Sequence, residues 1–292
     1  MLMTKVLILG ASGQIGSFLY KKLQGNATIE VLGTSRNEAN EYLKFDPFKD
    51  DWKVLGKRDV LINCVGQIQE TKGADFAKIH LGLTNIILKN REIIGNPRVI
   101  QISALGASTA HRVVFLQTKG QADEILLEEE NTFIVRPSIV CTPETMLVRK
   151  LKMLSRIARL TNNYLFVPKG FLNHKIQPIL IEDLCQLIEN ISLRDGSART
   201  INAVGPMEIS YHQLINILEK GRTKNFKIKE INKEVVGVLV KNIISPLFPG
   251  LINYQQYQLL FSDNVASLDD TERILGRKPA STMDFWEKEL SH

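Results

Sequence analysis

Residues 5–16, KVLILGASGQIG, decide the fold of this chain. Residues 5–9 form a short apolar run rich in branched side chains, which is typical of a buried parallel strand. The run passes directly into glycines spaced as GxxGxxG, at Gly10, Gly13 and Gly16. Glycine allows backbone conformations that other residues rarely adopt, and it lets a ligand approach the chain closely. The stretch therefore predicts a strand, a tight turn with a ligand beside it, and a helix.

Outward from this stretch, strands and helices alternate. Apolar residues recur at helical spacing after the glycines, so a helix is expected there. Further strands are predicted over residues 29–34, 60–65, 98–102, 133–136 and 176–181. Two more helices are predicted, one between the strands at 60–65 and 98–102 and one over about residues 114–130. This alternation predicts an α/β fold of the Rossmann type, with a doubly wound parallel sheet.

The pattern loosens after Pro137, which predicts a second, smaller region, and short helices are predicted near residues 269–275 and 283–290. We expect a core over residues 1–140, with residues 176–200 returning to the sheet, and a smaller substrate or lid region, interleaved with it, over 141–292. A basic amphipathic helix over 146–160 is interpreted as a lid helix, with lipid or a partner protein as the alternatives. The apolar stretch 235–251 is broken by prolines, and it could form a substrate wall or an oligomer contact.

The composition is that of an ordinary globular protein, with 44% hydrophobic and 23% charged residues among 292 and a net charge of +6. The basic residues are scattered, which argues against nucleic-acid binding. Cys64, Cys141 and Cys185 are far apart and form no CxxC pair, so we expect neither a metal site nor a disulfide framework. The apolar run at the start is too short for a signal peptide, and no stretch is long enough to cross a bilayer. We therefore expect a cytoplasmic protein.

The glycine loop predicts a site for the pyrophosphate of a nicotinamide dinucleotide, because a helix N-terminus favours phosphate charge. The residues expected to bind it are Gly10, Ser12, Gly13, Gln14, Ile15 and Gly16. The second strand ends in Ser35-Arg36, where a site for NAD usually presents a carboxylate. An arginine accommodates the 2′-phosphate of NADP instead. The sequence thus favours NADP(H), with NAD(H) as the alternative.

Several further motifs resemble those of the atypical and extended short-chain dehydrogenase/reductases, and most closely the NmrA-like and complex I NDUFA-nine-like branch. The matching segments follow the family's order over about the first two thirds of the chain: GASGQIG, TSR, FDPF, INCVG, HLGLTN, VIQISALGAS, FLQTK, FIVRPS and IQPILIEDL. INAVGP and SDNVASLDDTERILG fit more loosely. The resemblance implies that Asp46 lies near the adenine, and that Cys64, Val65 and Gly66 line the cofactor at a strand end.

The resemblance also implies a catalytic pair, a tyrosine and a lysine spaced YxxxK on one helix face. The lysine binds the nicotinamide ribose and lowers the pKa of the tyrosine, which exchanges a proton with the substrate. The matching residues are Phe115 and Lys119. Phenylalanine carries no exchangeable proton, so carbonyl reduction by this mechanism should lose about 100- to 10,000-fold in rate.

Other side chains are candidates for the same site. Ser103 matches a serine near the substrate oxygen, although serine is also common where strands end. His80, on an otherwise apolar helix face, is either a core histidine or a replacement acid. Tyr164 and His174 could approach a ligand from the irregular region.

Two functions remain open on the sequence. The first is an NADP(H)-dependent oxidoreductase of a small or hydrophobic carbonyl, with Lys119 and a substitute acid. The second is a non-catalytic NADP(H)-binding sensor, assembly factor or complex subunit, which Phe115 favours. A nucleotide-sugar epimerase is weaker, because that chemistry depends on the absent tyrosine. As partners we expect a small-molecule substrate or ligand and no nucleic acid, with membrane or protein-complex contact and the oligomeric state left open.

Overall fold

The structure is a computed structural model that describes residues 3–37, 41–67, 70, 75–193, 199–220, 224–247 and 252–290. The chain divides into two compact units. Unit 1 comprises residues 1–137, 181–203 and 267–278, and unit 2 comprises residues 138–180, 204–266 and 279–292. The chain therefore leaves unit 1 and returns to it twice.

The strands are short and are spread over both units. In chain order they are β1 (Thr4–Leu9), β2 (Ile29–Ser35), β3 (Leu43–Lys44), β4 (Val60–Asn63), β5 (Arg98–Ile102), β6 (Thr132–Pro137), β7 (Val140–Cys141), β8 (Tyr164–Pro168), β9 (Lys175–Ile176), β10 (Ile179–Leu180), β11 (Thr200–Ala203), β12 (Ile209–Ser210) and β13 (Lys227–Ile231).

The α-helices follow the strands along most of the chain. They are α1 (Gln14–Gln24), α2 (Leu83–Asn90), α3 (Val114–Leu127), α4 (Met146–Leu160), α5 (Ile181–Leu193), α6 (Tyr211–Glu219), α7 (Lys233–Leu239), α8 (Ser245–Leu247), α9 (Tyr254–Leu259), α10 (Asp269–Leu275) and α11 (Met283–Leu290). Two π-helical segments, Lys78–Gly82 and Val240–Ile244, lead into α2 and α8. None of the helices in the described part of the chain is long and apolar enough to cross a bilayer.

Unit 1 is built on a seven-stranded sheet with the order β11-β6-β5-β4-β1-β2-β3. Neighbouring strands all pair in parallel. The order reverses at β1, which lies between β2 and β4, so the carboxyl ends of β1 and β4 flank the crevice in which such sheets bind ligands. The predicted α/β class with a Rossmann-type parallel sheet is confirmed.

One predicted strand is shorter than the sequence pattern suggested. β4 ends at Asn63 rather than at Val65, because the Asn63 side chain accepts a hydrogen bond from the Val65 amide (3.1 Å) and turns the chain.

A second predicted strand, over residues 176–181, is divided into β9 and β10. Pro178 lies between the two halves and has no amide to donate to a continuous ladder. The helices α4, α10 and α11 have the bounds that the periodicity predicted.

The core of unit 1 lies between the sheet and its helices. Alternate strand residues such as Leu7, Leu61 and Ile134 are fully buried, and they pack with Leu83 and Leu126 of α2 and α3. Because these strands are buried on both faces, the sequence shows continuous apolar runs there.

Unit 2 contains three two-stranded sheets, formed by β7 with β10, β9 with β12 and β8 with β13. Its helices α4, α6 and α11 contribute Val148, Leu214 and the fully buried Trp286 to one apolar core. Unit 2 therefore has a hydrophobic core of its own.

Candidate functional site

The glycine loop joins β1 to α1 and has almost no room for side chains. Gly10 has a φ of +77°, a conformation that favours glycine. A Cβ atom at Gly16 would collide with the Gly10 carbonyl oxygen and would lie 2.9 Å from the Ala11 Cα atom. The Ala11 amide donates to the Thr34 carbonyl (2.9 Å), which ties the loop to β2. The result is a bare backbone turn at the carboxyl edge of the sheet.

The N-terminus of α1 is suited to an anion. Its N-cap residue, Gly13, has no side chain to occupy the first turn, and that turn contains no acidic residue. Basic residues stand at the opposite end, at Lys21 and Lys22. The first turn therefore places no negative charge at the positive end of the helix dipole. In that turn Gln14 is exposed and Ile15 is half-buried.

Two serines link the glycine loop to the end of β2. The Ser12 and Ser35 hydroxyl oxygens are 2.9 Å apart, and the Asn37 amide donates to Ser35 Oγ (3.3 Å). Arg36 follows directly and is exposed; its guanidinium forms no ion pair with any residue that the structure describes. This end of β2 thus presents an available cation beside the loop.

Asp46 is engaged in a local turn. Its carboxylate accepts from the Phe48 amide (3.1 Å) and lies 3.7 Å from Lys49 Nζ, while its own amide donates to Asp50 (2.7 Å). Its expected place near the adenine stays a prediction.

The end of β4 is held by a buried amide pair. Asn63 Nδ2 donates to Gln101 Oε1 on β5 (2.8 Å), and the Cys64 amide donates to the Leu9 carbonyl of β1 (3.0 Å). A Cβ atom at Gly10 would lie 3.0 Å from Val65 Cγ2, so the chain after β4 closes over the glycine loop. Burial raises the pKa of the Cys64 thiol, which therefore stays protonated.

Lys119 lies on α3, buried at the same edge of the sheet. Its Nζ donates to the Ile102 carbonyl at the end of β5 (3.1 Å), and a Cβ atom at Gly66 would lie 3.8 Å from it. Burial lowers the pKa of Lys119 to about 8, against the opposing charge of Asp123. The structure thus brings Lys119 and the segment after β4 together.

Phe115 belongs to a buried aromatic cluster. Its ring meets those of Phe76 and His80 edge to face, at centroid distances of 5.6 and 5.7 Å, and the latter two rings stack on each other. Lys119 Nζ lies 5.7 Å from the Phe115 centroid. Phenylalanine thus occupies the expected position of the phenol, one helical turn from the lysine.

His80 is buried and hydrogen-bonded to its neighbour on α3. Its Nδ1 atom lies 2.8 Å from the Thr118 hydroxyl oxygen, which also lies 2.9 Å from the Val114 carbonyl oxygen. Nε2 is buried, with no hydrogen-bond partner among the described residues. Burial first, and then the charge of Lys119, lower the pKa of His80 to about 3. The imidazole is therefore neutral near pH 7.

Ser103 donates its hydroxyl proton to the buried Asp123 (2.8 Å). The same carboxylate oxygen accepts from Arg136 Nε and Nη2, both at 2.9 Å. Burial raises the pKa of Asp123, whereas the hydrogen bond from Ser103 and the charge of Arg136 lower it. Sequence reasoning missed Asp123, although it follows Lys119 by four residues on the same helix face.

The remaining candidates lie in unit 2. The Tyr164 ring stacks on Phe166 at the start of β8, and Lys227 Nζ lies 5.2 Å from its centroid. His174 Nδ1 lies 3.0 Å from a carboxylate oxygen of Asp263. Both side chains are engaged locally.

No family model matches this chain. Curated relatives are nevertheless found, and several carry one name. NADH dehydrogenase (ubiquinone) 1 alpha subcomplex subunit 9, mitochondrial, of Arabidopsis thaliana is 27% identical over 288 residues, which cover 89% of this chain and 70% of the relative. The Rattus norvegicus protein of the same name is 25% identical over 169 residues, 57% of this chain and 43% of the relative. Protein FMP52, mitochondrial, of Candida albicans is 25% identical over 147 residues, 44% of this chain and 64% of the relative.

Solved structures share the fold over nearly the whole chain. UDP-glucuronic acid 4-epimerase from Bacillus cereus, in complex with UDP-glucuronic acid and NAD, has a TM-score of 0.69 at 16% identity and covers 98% of each chain. A nucleoside-diphosphate-sugar epimerase from Staphylococcus aureus has a TM-score of 0.73 at 14% identity and covers 97% of this chain and 100% of its own. At such identities the likeness establishes the fold alone.

The fold and the curated relatives agree with the resemblance to the extended short-chain dehydrogenase/reductases that the motifs predicted. Within that superfamily the chain resembles the complex I NDUFA-nine-like branch, as its motifs predicted. The NmrA-like part of the resemblance stays a prediction.

Two expectations from the sequence are wrong. The cytoplasmic location is overturned because the relatives are named as mitochondrial. From the sequence we expected a small-molecule substrate or ligand as the partner and left contact with a protein complex open. Three relatives are instead named as subunits of a complex. The physical reason is that three cysteines without a CxxC pair and a scattered basic charge are compatible with any reducing compartment, and they specify neither a location nor a partner.

Proposed function

We propose that this chain is a mitochondrial NAD(P)(H)-binding subunit or assembly factor of an NADH dehydrogenase complex, and that it does not reduce carbonyls by the tyrosine–lysine mechanism. One observation supports the absence of carbonyl reduction: neither hydroxyl that this chemistry uses is available. Residue 115 has no hydroxyl, and the Ser103 proton is donated to Asp123 at 2.8 Å. The relatives' names support the role in an NADH dehydrogenase complex.

The glycine loop fits a dinucleotide because its backbone leaves a cradle that a Cβ atom at Gly16 would fill. The amides at the start of α1 would hold the pyrophosphate, and the Ser12–Ser35 pair would border the adenosine ribose. Arg36 would pair with a 2′-phosphate, which favours NADP(H) over NAD(H). A bound nicotinamide supplies a hydride donor or acceptor.

Lys119 would hold the nicotinamide ribose. Its ammonium is already oriented by the Ile102 carbonyl, and it borders the segment of Cys64, Val65 and Gly66 that would line the cofactor. A lysine in this place can bind and orient without moving a proton.

The alternative function, reduction of a small or hydrophobic carbonyl, needs a substitute acid. His80 is a poor candidate, because its lowered pKa leaves the imidazole neutral near pH 7 and its Nδ1 atom is engaged by Thr118. The geometry therefore favours binding without turnover.

The test is calorimetric titration of the purified chain with NADPH and NADH, followed by a screen for carbonyl reduction. We expect binding and no turnover by the native protein. The Phe115→Tyr variant shows whether the site has lost only its acid, and Lys119→Ala is the matched loss-of-lysine control. Native turnover that Lys119→Ala abolishes would contradict the binding-only function.

Membership of the complex is tested separately. The tagged full chain, expressed in its own host, should migrate with NADH dehydrogenase activity on a native gel. The subunit role would be refuted if none of the protein migrated with the complex at native expression levels. If that free protein still bound the dinucleotide, the binding role would stand.

A further inference from the structure

A helical stretch in unit 2 carries a stripe of aliphatic side chains that face outward. The stretch runs without a break through α7, the π-helical segment Val240–Ile244 and α8. Its exposed apolar residues follow helical spacing and are between 44% and 68% exposed: Val235, Val238, Leu239, Ile243 and Leu247. Residues 248–251, the rest of the predicted apolar stretch, lie outside the described residues. We call these five side chains the aliphatic stripe.

The opposite face of this helix is packed, so the stripe's orientation is determined. Val240 is buried, and a Cβ atom at Gly237 would lie 3.2 Å from the Tyr257 ring of α9. The Tyr257 hydroxyl donates to the Lys233 carbonyl (2.5 Å). The stripe is therefore the free side of an anchored helix.

The charge around the stripe is positive. Unit 2 contains 15 lysines and arginines and nine aspartates and glutamates, whereas unit 1 contains 22 of each, so unit 2 carries the whole net charge of +6. On and before the helix, four lysines form no ion pair with any described residue: Lys227, Lys229, Lys233 and Lys241. Carboxylates of unit 2 such as Glu208 and Glu287 pair with other lysines, Lys175 and Lys220.

These observations favour lipid over protein. The cores of protein interfaces are enriched in aromatic residues, Met and Arg and depleted of Lys. The stripe has the reverse composition, aliphatic side chains flanked by lysines, which is typical of a helix that lies in a membrane interface. Lysines that form no ion pair add attraction to anionic headgroups. Three of the four, Lys227, Lys233 and Lys241, lie over aromatic rings at 5.2, 5.8 and 5.6 Å from the centroids, and these contacts leave their charges uncompensated.

We propose that this helix docks on the surface of a bilayer that contains anionic phospholipid. The aliphatic stripe enters the boundary between headgroups and acyl chains, and the four lysines contact headgroup phosphates. This surface lies in unit 2 and goes beyond the proposed function, since it needs neither the dinucleotide nor a protein partner.

The experiment is sedimentation of the purified full chain with vesicles of phosphatidylcholine alone and of phosphatidylcholine mixed with phosphatidylglycerol. Native protein should bind the mixed vesicles, and binding should fall as salt rises. Val238→Glu should reduce the partition coefficient at least about tenfold, because a carboxylate cannot enter the apolar layer cheaply. The matched control is Val54→Glu in unit 1, where the same residue is 62% exposed against 60% for Val238, and it should bind like the native protein.

Thermal unfolding and NADPH titration of both variants report whether folding or the dinucleotide site has changed. No binding to mixed vesicles, equal binding to both vesicle types, or equal losses in the two valine variants would each overturn the proposal. A dimer in analytical ultracentrifugation that Val238→Glu dissociates, with no vesicle binding, would replace lipid by a second copy of the chain.

Discussion

Lys119 is a buried lysine without a tyrosine beside it. Its ammonium donates to the Ile102 carbonyl and lies one helical turn from a ring that has no hydroxyl. In a tyrosine-containing site such a lysine binds ribose and lowers the pKa of the phenol. With Phe115 present, ribose binding is the role that we propose for it, and the burial of the charge is a cost to stability.

That cost predicts a pH dependence. The pKa of Lys119 is about 8 in the folded chain, against 10.5 for a lysine exposed to water, as in the unfolded chain. Between pH 8 and pH 10.5 the unfolded chain therefore binds more protons than the folded chain. The free energy of unfolding should therefore rise with pH from about 8 towards 10.5, by a sum on the order of 3 kcal/mol. Urea unfolding at a series of pH values measures it.

The matched variants isolate the contribution of this one lysine. Lys119→Met should lose that part of the slope, whereas Lys21→Met, at an exposed position, should keep it. Parallel pH profiles for the native protein and Lys119→Met would show that the buried ammonium is not the cause.

In the site that we propose, Arg36 would discriminate between NADP(H) and NAD(H). Replacement by Asp removes the cation at the end of β2 and adds the carboxylate that usually holds the ribose 2′-hydroxyl. NADPH affinity should fall at least about tenfold, since a charge-assisted hydrogen bond contributes about 1.5–3 kcal/mol, and NADH affinity should hold or improve.

Calorimetry with both dinucleotides measures this change. Lys53→Asp controls for the same change of charge at an exposed site. An unchanged ratio of the two affinities in Arg36→Asp would remove the argument for NADP(H).

At the scale of elements, α3 organises the candidate site. It carries Phe115, Lys119 and Asp123 on its buried side. It can approach the loop after β5 closely only because residue 120 is glycine: a Cβ atom there would lie 2.5 Å from the Ser108 amide nitrogen and Cα atom. The close approach of backbone to backbone sets the depth at which Lys119 stands.

Gly120→Ala should therefore move or destabilise α3. We expect a loss of about 1–3 kcal/mol or more in the free energy of unfolding, as is usual for overpacking, together with weaker dinucleotide binding. Gly25→Ala is the matched control, because a Cβ atom at the end of α1 makes only an ordinary contact of 3.4 Å with the Lys22 carbonyl. Equal stability of the two variants in chemical denaturation would contradict this packing argument.

At the scale of the whole molecule, the two units differ in charge and in what they would bind. Unit 1 is electrically balanced and contains the proposed dinucleotide site, whereas unit 2 carries the positive charge and the aliphatic stripe. For the domains we propose the division that the sequence predicted. The core ends at about residue 140, and residues 176–200 return to its sheet.

The two tryptophans test this division. Trp52 is buried in unit 1 and Trp286 in unit 2, so Trp286→Phe and Trp52→Phe each leave one fluorescent reporter. Saturating NADPH, at about 100 times its Kd, should stabilise the transition reported by Trp52 by about 2.7 kcal/mol and that reported by Trp286 by less. Identical shifts would mean that the chain unfolds as one cooperative whole.

Much of the fold was predictable because it rests on local patterns. Continuous apolar runs predicted β1, β5 and the parallel sheet, and helical periodicity predicted the bounds of α4, α10 and α11. The hydropathy pattern predicted the wrong end for β4. The strand ends at Asn63 because its side-chain oxygen accepts a hydrogen bond from the Val65 amide, and hydropathy does not encode such a bond.

The candidate site divides in the same way. By itself the sequence determined the glycine loop, the cation at position 36 and the absence of a phenol at position 115, because each depends on which residue stands at one place in a local motif. Only the tertiary structure decided that Ser103 donates its proton to Asp123 and that His80 is buried against Thr118. It alone also placed the aliphatic stripe outward, because burial and hydrogen-bond partners arise from residues far apart in the chain.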